Sequence, residues 1–151
     1  MNIRKSIDYS AMFVSLDKLM TADLSQIELY YEIGRIISSK EEKGAAVAAA
    51  EYLQAACPNV TGFSPRNLRR MRAFYRAYTD MPEMIDAAME IGWTQNVVIL
   101  EARLTSSERV WYMQAAWQFG WSKAKLLRQI EVNAHLSLDL PGEVCYTEEN
   151  A

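Results

Sequence analysis

The chain has 151 residues, half of them apolar, a net charge of −3 and two widely separated cysteines, Cys57 and Cys145. This composition excludes a disordered chain, and the length suits a domain that folds without disulfides or a structural metal. No apolar run approaches the roughly 18 residues of a membrane span, and the N-terminus lacks the apolar core of a secretory signal. We therefore expect a protein of the reducing cytoplasm with no membrane partner.

The sequence predicts an all-α fold, a compact multi-helix domain, because glycine and proline are few and no β-branched alternating run occurs. Helical periodicity runs from about Tyr9 to Lys43, with a break near residues 21–23 after which Asp23 is the predicted N-cap. Gly44 is predicted to end this region in a left-handed turn. An alanine-rich helix, Ala45–Ala56, follows.

The clearest helix start is Ser64-Pro65, because serine is a preferred N-cap and proline is tolerated at the first helical position. The predicted helix extends to Tyr78 and is entered through a helix-turn-helix-like bend, CPNVTGF. Between Ser64 and Tyr78 there are five arginines and no acid. Because the chain has 16 bases in all, the rest of it carries 11 bases against all 19 acids. A local positive surface thus lies on an acidic body.

The arginines of this helix are predicted to share one face, opposite an apolar face that includes Met71 and Phe74. Guanidinium groups bind phosphate and guanine edges in bidentate fashion, and Asn67 near the helix start is the residue expected nearest a base. The alternative is a solvated face whose arginines pair across helices with Glu28, Glu32 or Glu51. The nucleic-acid-binding candidates in this helix are Arg66, Asn67, Arg69, Arg70, Arg72 and Arg76.

Further helices are predicted from Pro82 to about Ile91, from Trp93 to near Arg103, and from a capping box at Thr105 and Glu108 to Phe119. Gly120 is the expected left-handed residue that ends the last of these.

Ser122 then caps a final helix that runs to about His135. Lys123, Lys125 and Arg128 give that helix a second, weaker basic patch, the remaining nucleic-acid-binding candidates. We expect the domain to occupy residues 1–136, with an acidic tail or truncated linker over 137–151.

No catalytic constellation is evident, and we expect neither an enzyme active site nor a metal or cofactor. The single histidine, His135, has no recognisable nucleophile partner and is interpreted as a group that complements a helix dipole. Glycine-rich phosphate loops and the motif of a restriction-type nuclease core are both missing. The four tryptophans, Trp93, Trp111, Trp117 and Trp121, are expected to pack in the core rather than stack on bases.

Four segments together resemble the N-terminal domain of the YhcG family of bacterial proteins. They are LYYEIGRII at 29–37, GFSPRNLRRMRAFYRAY at 62–78, GWTQNVVIL at 92–100 and ERVWYMQAAWQFGWSKAKLLRQIE at 108–131. In this family the domain precedes a PD-(D/E)xK-type nuclease domain. The resemblance implies a helical module that handles DNA or mediates assembly, with the cleavage chemistry in a domain expected to be absent from this chain.

Two functional hypotheses follow from the sequence. The first is a non-catalytic module that binds nucleic acid, with DNA favoured, and positions a nuclease domain or partner protein. The second is an oligomerisation or protein-interaction module in which the arginines meet acids across an interface, as in a homodimer.

Overall fold

The computed structural model describes residues 7–40 and 44–140, and the regular structure within these ranges is helical throughout. The all-α prediction is therefore confirmed. The α-helices are α1 Ser10–Met20, α2 Gln26–Ser38, α3 Gly44–Ala56, α4 Pro65–Tyr78, α5 Pro82–Met89, α6 Trp93–Glu101, α7 Ser106–Phe119 and α8 Lys123–Glu131. A short 3₁₀ turn, Ala134–Leu136, follows α8.

The chain divides into two compact units at the junction of Asp80 and Met81. The first unit contains α1 to α4, and the second contains α5 to α8 with the 3₁₀ turn. Of the predicted tail, Ser137–Leu140 is described and Leu140 is fully buried. The remainder of the tail, including Cys145, lies outside the described residues.

In the first unit, α4 packs most extensively against α2 and also contacts α3. The two helices cross closely at Gly34, where an added Cβ would overlap the carbonyl oxygen of Met71. The ring of Tyr31 packs against the rings of Phe74 and Tyr75, with centroids 6.2 and 5.0 Å apart. Helix α2 therefore holds the apolar face of α4 against the core.

Two predictions about the first unit are wrong. The N-cap of α2 is Ser25, which forms a capping box with Glu28, and not Asp23. Gly44 is the first residue of α3 and does not adopt a left-handed conformation. The four alanines of α3 that are fully buried explain its composition, because small side chains let neighbouring helices approach closely: Ala45, Ala46, Ala49 and Ala50.

In the second unit, α7 is the central helix. Consecutive residues in its middle, Trp111 to Met113 and then Ala115 and Ala116, are buried, so this stretch is enclosed on nearly all sides. The predicted capping box at Thr105 and Glu108 and the left-handed Gly120 are both confirmed.

The last predicted helix is shorter than expected. Helix α8 ends at Glu131, and Asn133 takes a left-handed conformation with φ of 53° before the 3₁₀ turn. His135 lies in that turn and not in the helix.

Candidate nucleic-acid interface

The start of α4 is built by a short loop with three local devices. The Ser64 hydroxyl accepts a hydrogen bond from the backbone N–H of Asn67 at 3.1 Å, and Pro65 occupies the first helical position. Gly62 has a φ of +100°, a conformation that side chains rarely adopt, and a Cβ there would lie 2.5 Å from the hydroxyl of buried Tyr30. The loop thus fixes the direction in which α4 leaves it. At residues 57–64, it is longer than the roughly three- or four-residue turn of a helix-turn-helix.

Asn67 helps to close this loop. Its side-chain amide donates to the carbonyl oxygen of Gly62 at 2.6 Å, and the residue is half-buried. Asn67 therefore stabilises the N-terminal turn of α4 through two hydrogen bonds, one from its backbone N–H to Ser64 and one from its side chain to Gly62. A contact between Asn67 and a base stays a prediction.

Helix α4 separates apolar and cationic side chains onto opposite faces. Leu68, Met71, Phe74 and Tyr78 are fully buried. Arg66, Arg69 and Arg76 are exposed, and Arg70 and Arg72 are half-buried. The predicted face assignment is therefore confirmed, and all five arginines share one helix.

Three of these arginines lie close together, and none of the three forms an ion pair with a described carboxylate. Arg69, Arg72 and Arg76 are spaced three and four residues apart, so they follow one stripe of the helix. The pKa of Arg72 is lowered, first by partial burial and then by the charges of Arg76 and Arg69. Repulsion between like charges is thus already present in the unbound protein.

Arg76 has a polar support from the neighbouring helix. Its Nε donates to the hydroxyl of Ser38 at the end of α2, at 2.9 Å. Sequence reasoning missed this contact because the two residues are distant along the chain and neither belongs to a motif. It orients one guanidinium without neutralising it.

The acids proposed as partners for these arginines are occupied elsewhere or form no ion pair with them. The Glu28 carboxylate accepts from the backbone N–H of Ser25 in the capping box, at 3.3 Å. Glu32 pairs with Arg35 on its own helix at 2.7 Å. Within the described part of the chain, Arg66, Arg69, Arg72 and Arg76 form no ion pair with a carboxylate, and this includes Glu51.

The remaining candidates lie on α8, in the second unit. Lys123, Lys125 and Arg128 are all exposed. The Ser122 hydroxyl accepts from the backbone N–H of Lys125 at 3.2 Å, which confirms the predicted cap. The first and second units therefore each carry a basic helix.

Two sequence-based interpretations in the second unit need correction. Trp117 is 57% exposed, whereas Trp111 and Trp121 are buried as expected. It lies in the last turn of α7, beyond the enclosed middle of the helix, so core packing does not reach it.

His135 does more than complement a helix dipole, because its ring connects two side chains of α7. Its Nδ1 lies 2.8 Å from the hydroxyl of Tyr112, and its Nε2 lies 2.9 Å from a carboxylate oxygen of Glu108. The 3₁₀ turn is tied to α7 by these contacts. Tyr112 is fully buried, so its hydroxyl is held inside the unit by this contact.

No described helix is long and apolar enough to cross a membrane. The described residues also contain no group of three His, Cys, Asp or Glu side chains placed to hold a metal ion.

Comparison with known proteins identifies a family. Neither the curated proteins nor the solved structures contain a match to the chain. A model of the DUF1016 N-terminal domain matches residues 15–137, and the chain therefore belongs to that family, the N-terminal domain of the YhcG proteins.

Proposed function

We propose that this chain is a non-catalytic nucleic-acid-binding module, with DNA as its ligand, that positions a nuclease domain or partner protein on a substrate. The observation that carries the proposal is the arginine stripe of α4, in which Arg69, Arg72 and Arg76 repel one another and form no ion pair with a described carboxylate. A phosphate backbone supplies the missing negative charge at regular spacing, and its binding releases condensed counterions.

The placement of the stripe supports this role. The opposite face of α4 is fixed by the buried Leu68, Met71 and Phe74, so the arginine face is held on a rigid element. Arginine side chains on a rigid helix lose less conformational freedom on binding than charged side chains on a flexible loop do. Cleavage chemistry, by this proposal, belongs to the nuclease that the module accompanies.

We infer a cytoplasmic setting for the same module. Cys57 is a free thiol, half-buried, in the described part of the chain. Free thiols persist in reducing compartments, where the chromosome of a bacterium also lies.

An electrophoretic mobility shift at low salt tests the function with duplex, branched and single-stranded DNA. The test variant is the double substitution Arg66→Ala/Arg69→Ala, since both side chains are exposed and neither forms a hydrogen bond within the described residues. We expect the wild type to shift DNA at micromolar concentration and the variant to bind at least about tenfold more weakly.

The matched control removes two positive charges that lie outside the candidate helices α4 and α8. Lys18→Ala/Arg103→Ala changes two exposed bases that form no ion pair with a described residue. Equal loss of binding in the control and the test variant would refute a specific arginine surface. No shift with the wild type would refute the function itself.

A second candidate function is self-association through the second unit. Several large apolar side chains there are exposed, among them Leu127 at 46%, Val132 at 61% and Leu136 at 77%. Where such side chains form a contiguous patch, they commonly mark a protein interface. Light scattering on the free protein tests it: a stable dimer that does not bind DNA would favour this function over the first.

A further inference from the structure

We propose that the second unit carries a site for unpaired bases, in which Trp117 stacks on a base and Lys123, Lys125 and Arg128 bind the adjoining phosphates. We call these four residues the aromatic–basic surface. The inference rests on the proposed nucleic-acid function and extends it, because it names single-stranded segments, such as those of a branched or frayed substrate, as the preferred ligand of this unit.

The first observation is the exposure of the Trp117 indole. It is 57% exposed, against 8% for Trp111 and 7% for Trp121 in the same unit. It makes no ring contact or hydrogen bond with a described residue. A large apolar ring left in water costs hydration free energy, and a stacked base removes that cost without requiring a particular sequence.

The second observation is the charge of the sequence segment that contains this ring. From Arg109 to Ile130 the chain holds four bases and no acid, although it has 19 acids in all. Arg109 is used internally, where it donates to the carbonyl oxygen of Leu100 at 3.2 Å. The other three bases are exposed and form no ion pair with a described residue. The exposed charged side chains of this segment are therefore all cationic, and their charge complements a polyanion.

The third observation is the rigidity of the turn between the ring and the cations. Gly120 has a φ of +64°, and the N–H of Trp121 donates to the carbonyl oxygen of Ala116 at 3.1 Å. The Phe119 ring stacks on that of buried Trp121, with centroids 5.5 Å apart. Trp117 and Lys123 thus lie on either side of a defined helix end, six residues apart in sequence.

An exposed aromatic ring and unpaired cations in one acid-free segment match the alternation of base face and phosphate along a single strand. A paired duplex offers phosphates but hides its base faces in the stack, so the indole gains nothing from it. The combination therefore favours single-stranded nucleic acid over a duplex, and over a protein partner that would leave the cations without partners.

Fluorescence titration of the full chain with a short oligothymidylate and with a blunt duplex of equal length tests the inference. We expect the oligothymidylate to quench tryptophan emission in the wild type. Trp117→Ala should weaken oligothymidylate binding, measured by anisotropy of the labelled strand, by about tenfold and duplex binding by less than about threefold. Trp117→Phe should retain most of the affinity and lose the quenching, because phenylalanine still stacks.

Met89→Ala is the matched control, since it removes another exposed apolar side chain of the second unit, 39% exposed, from a different helix, α5. It should leave both affinities unchanged. If Trp117→Ala binds both ligands as the wild type does, or if it alters only self-association, the inference is overturned while the α4 proposal stands. If the wild type binds neither ligand, the proposed function fails as well, and the two failures are thereby distinguished.

Discussion

Gly34 is a residue whose role depends on the helix opposite it. A Cβ at this position would lie 2.7 Å from the carbonyl carbon of Met71 and 3.0 Å from the Cβ of Tyr75, so the backbones of α2 and α4 meet here. The clash involves backbone atoms and is not relieved by rotating a side chain. Met71 lies at this crossing, on the face of α4 opposite the arginine stripe. The crossing therefore holds the stripe in place.

We expect Gly34→Ala to lower the free energy of unfolding by at least about 1–3 kcal/mol, despite the higher helix propensity of alanine, because the two helices must move apart. Urea denaturation followed by circular dichroism measures this. Gly44→Ala is the control, since the nearest atom to a Cβ there is the Tyr9 hydroxyl at 3.4 Å, an ordinary contact. A Gly34→Ala protein as stable as the wild type would contradict the close crossing.

Glu108 is the residue from which we expect a pH effect on stability. The backbone N–H of Thr105, donating at 2.8 Å, is the main cause that lowers the pKa of this carboxyl, and the Thr105 hydroxyl and His135 lower it further. Because the folded protein holds the carboxylate more strongly than the unfolded chain does, its contribution is present above the ordinary pKa of 4.5 and is lost as pH falls below that value.

Glu108→Gln should therefore show a smaller fall in melting temperature than the wild type when pH is lowered from about 6 to about 3.5. Glutamine can still accept from the Thr105 N–H, so the capping box and the fold are retained. The control is Glu131→Gln, an exposed carboxylate without a hydrogen bond to a described residue, which should behave as the wild type does. Identical pH profiles for all three proteins would rule out a role for Glu108.

At the residue scale, the sequence predicted hydrogen bonds between residues that are close along the chain and missed those between residues that are far apart. The Thr105 and Glu108 capping box was predictable because its two hydrogen bonds join residues three apart. The bond between Arg76 and Ser38 joins residues 38 apart and has no local signature. Asn96 is a similar case: it is fully buried and donates to the carbonyl oxygen of Ala88 at 2.9 Å, yet its surrounding sequence reads as an ordinary apolar helix.

At the scale of elements, α4 was predictable in detail because every signal in it agrees. Its serine cap, its proline at the first position and its segregated faces all specify one helix and one orientation. The end of α7 was not predictable in the same way. Trp117 belongs to the helix, but its exposure depends on where the enclosing helices stop, which periodicity within α7 does not encode.

Ser64→Ala tests how much the cap contributes to this element. The lost hydrogen bond to the N–H of Asn67 should lower the free energy of unfolding by about 1 kcal/mol, since one helical donor loses its partner. Ser107→Ala, at an exposed position within the first turn of α7, should cause no loss and serves as the control. Equal unfolding midpoints in urea for Ser64→Ala and the wild type would show that water replaces the cap.

At the scale of the whole molecule, charge is unevenly distributed along an acidic chain. The net charge is −3, yet the arginine stripe of α4 and the aromatic–basic surface both fall in acid-free stretches, residues 52–79 and 109–130. Net charge governs long-range attraction, whereas phosphate contacts respond to the local field at the bound surface. By the proposed function, an acidic protein of this kind should bind nucleic acid with limited non-specific attraction.

The salt dependence of binding distinguishes local contacts from overall charge. Each phosphate contact contributes about 0.9 to the slope of log affinity against log salt for duplex DNA. We expect Arg66→Ala/Arg69→Ala to reduce that slope by about two, because two contacts are lost. Lys18→Ala/Arg103→Ala has the same net charge and should shift the affinity slightly while leaving the slope unchanged. Affinity measured by anisotropy across a series of salt concentrations gives both values. Equal slopes for the two double variants would mean that binding depends only on the net charge of the protein. The arginine stripe would then not be the DNA-binding surface.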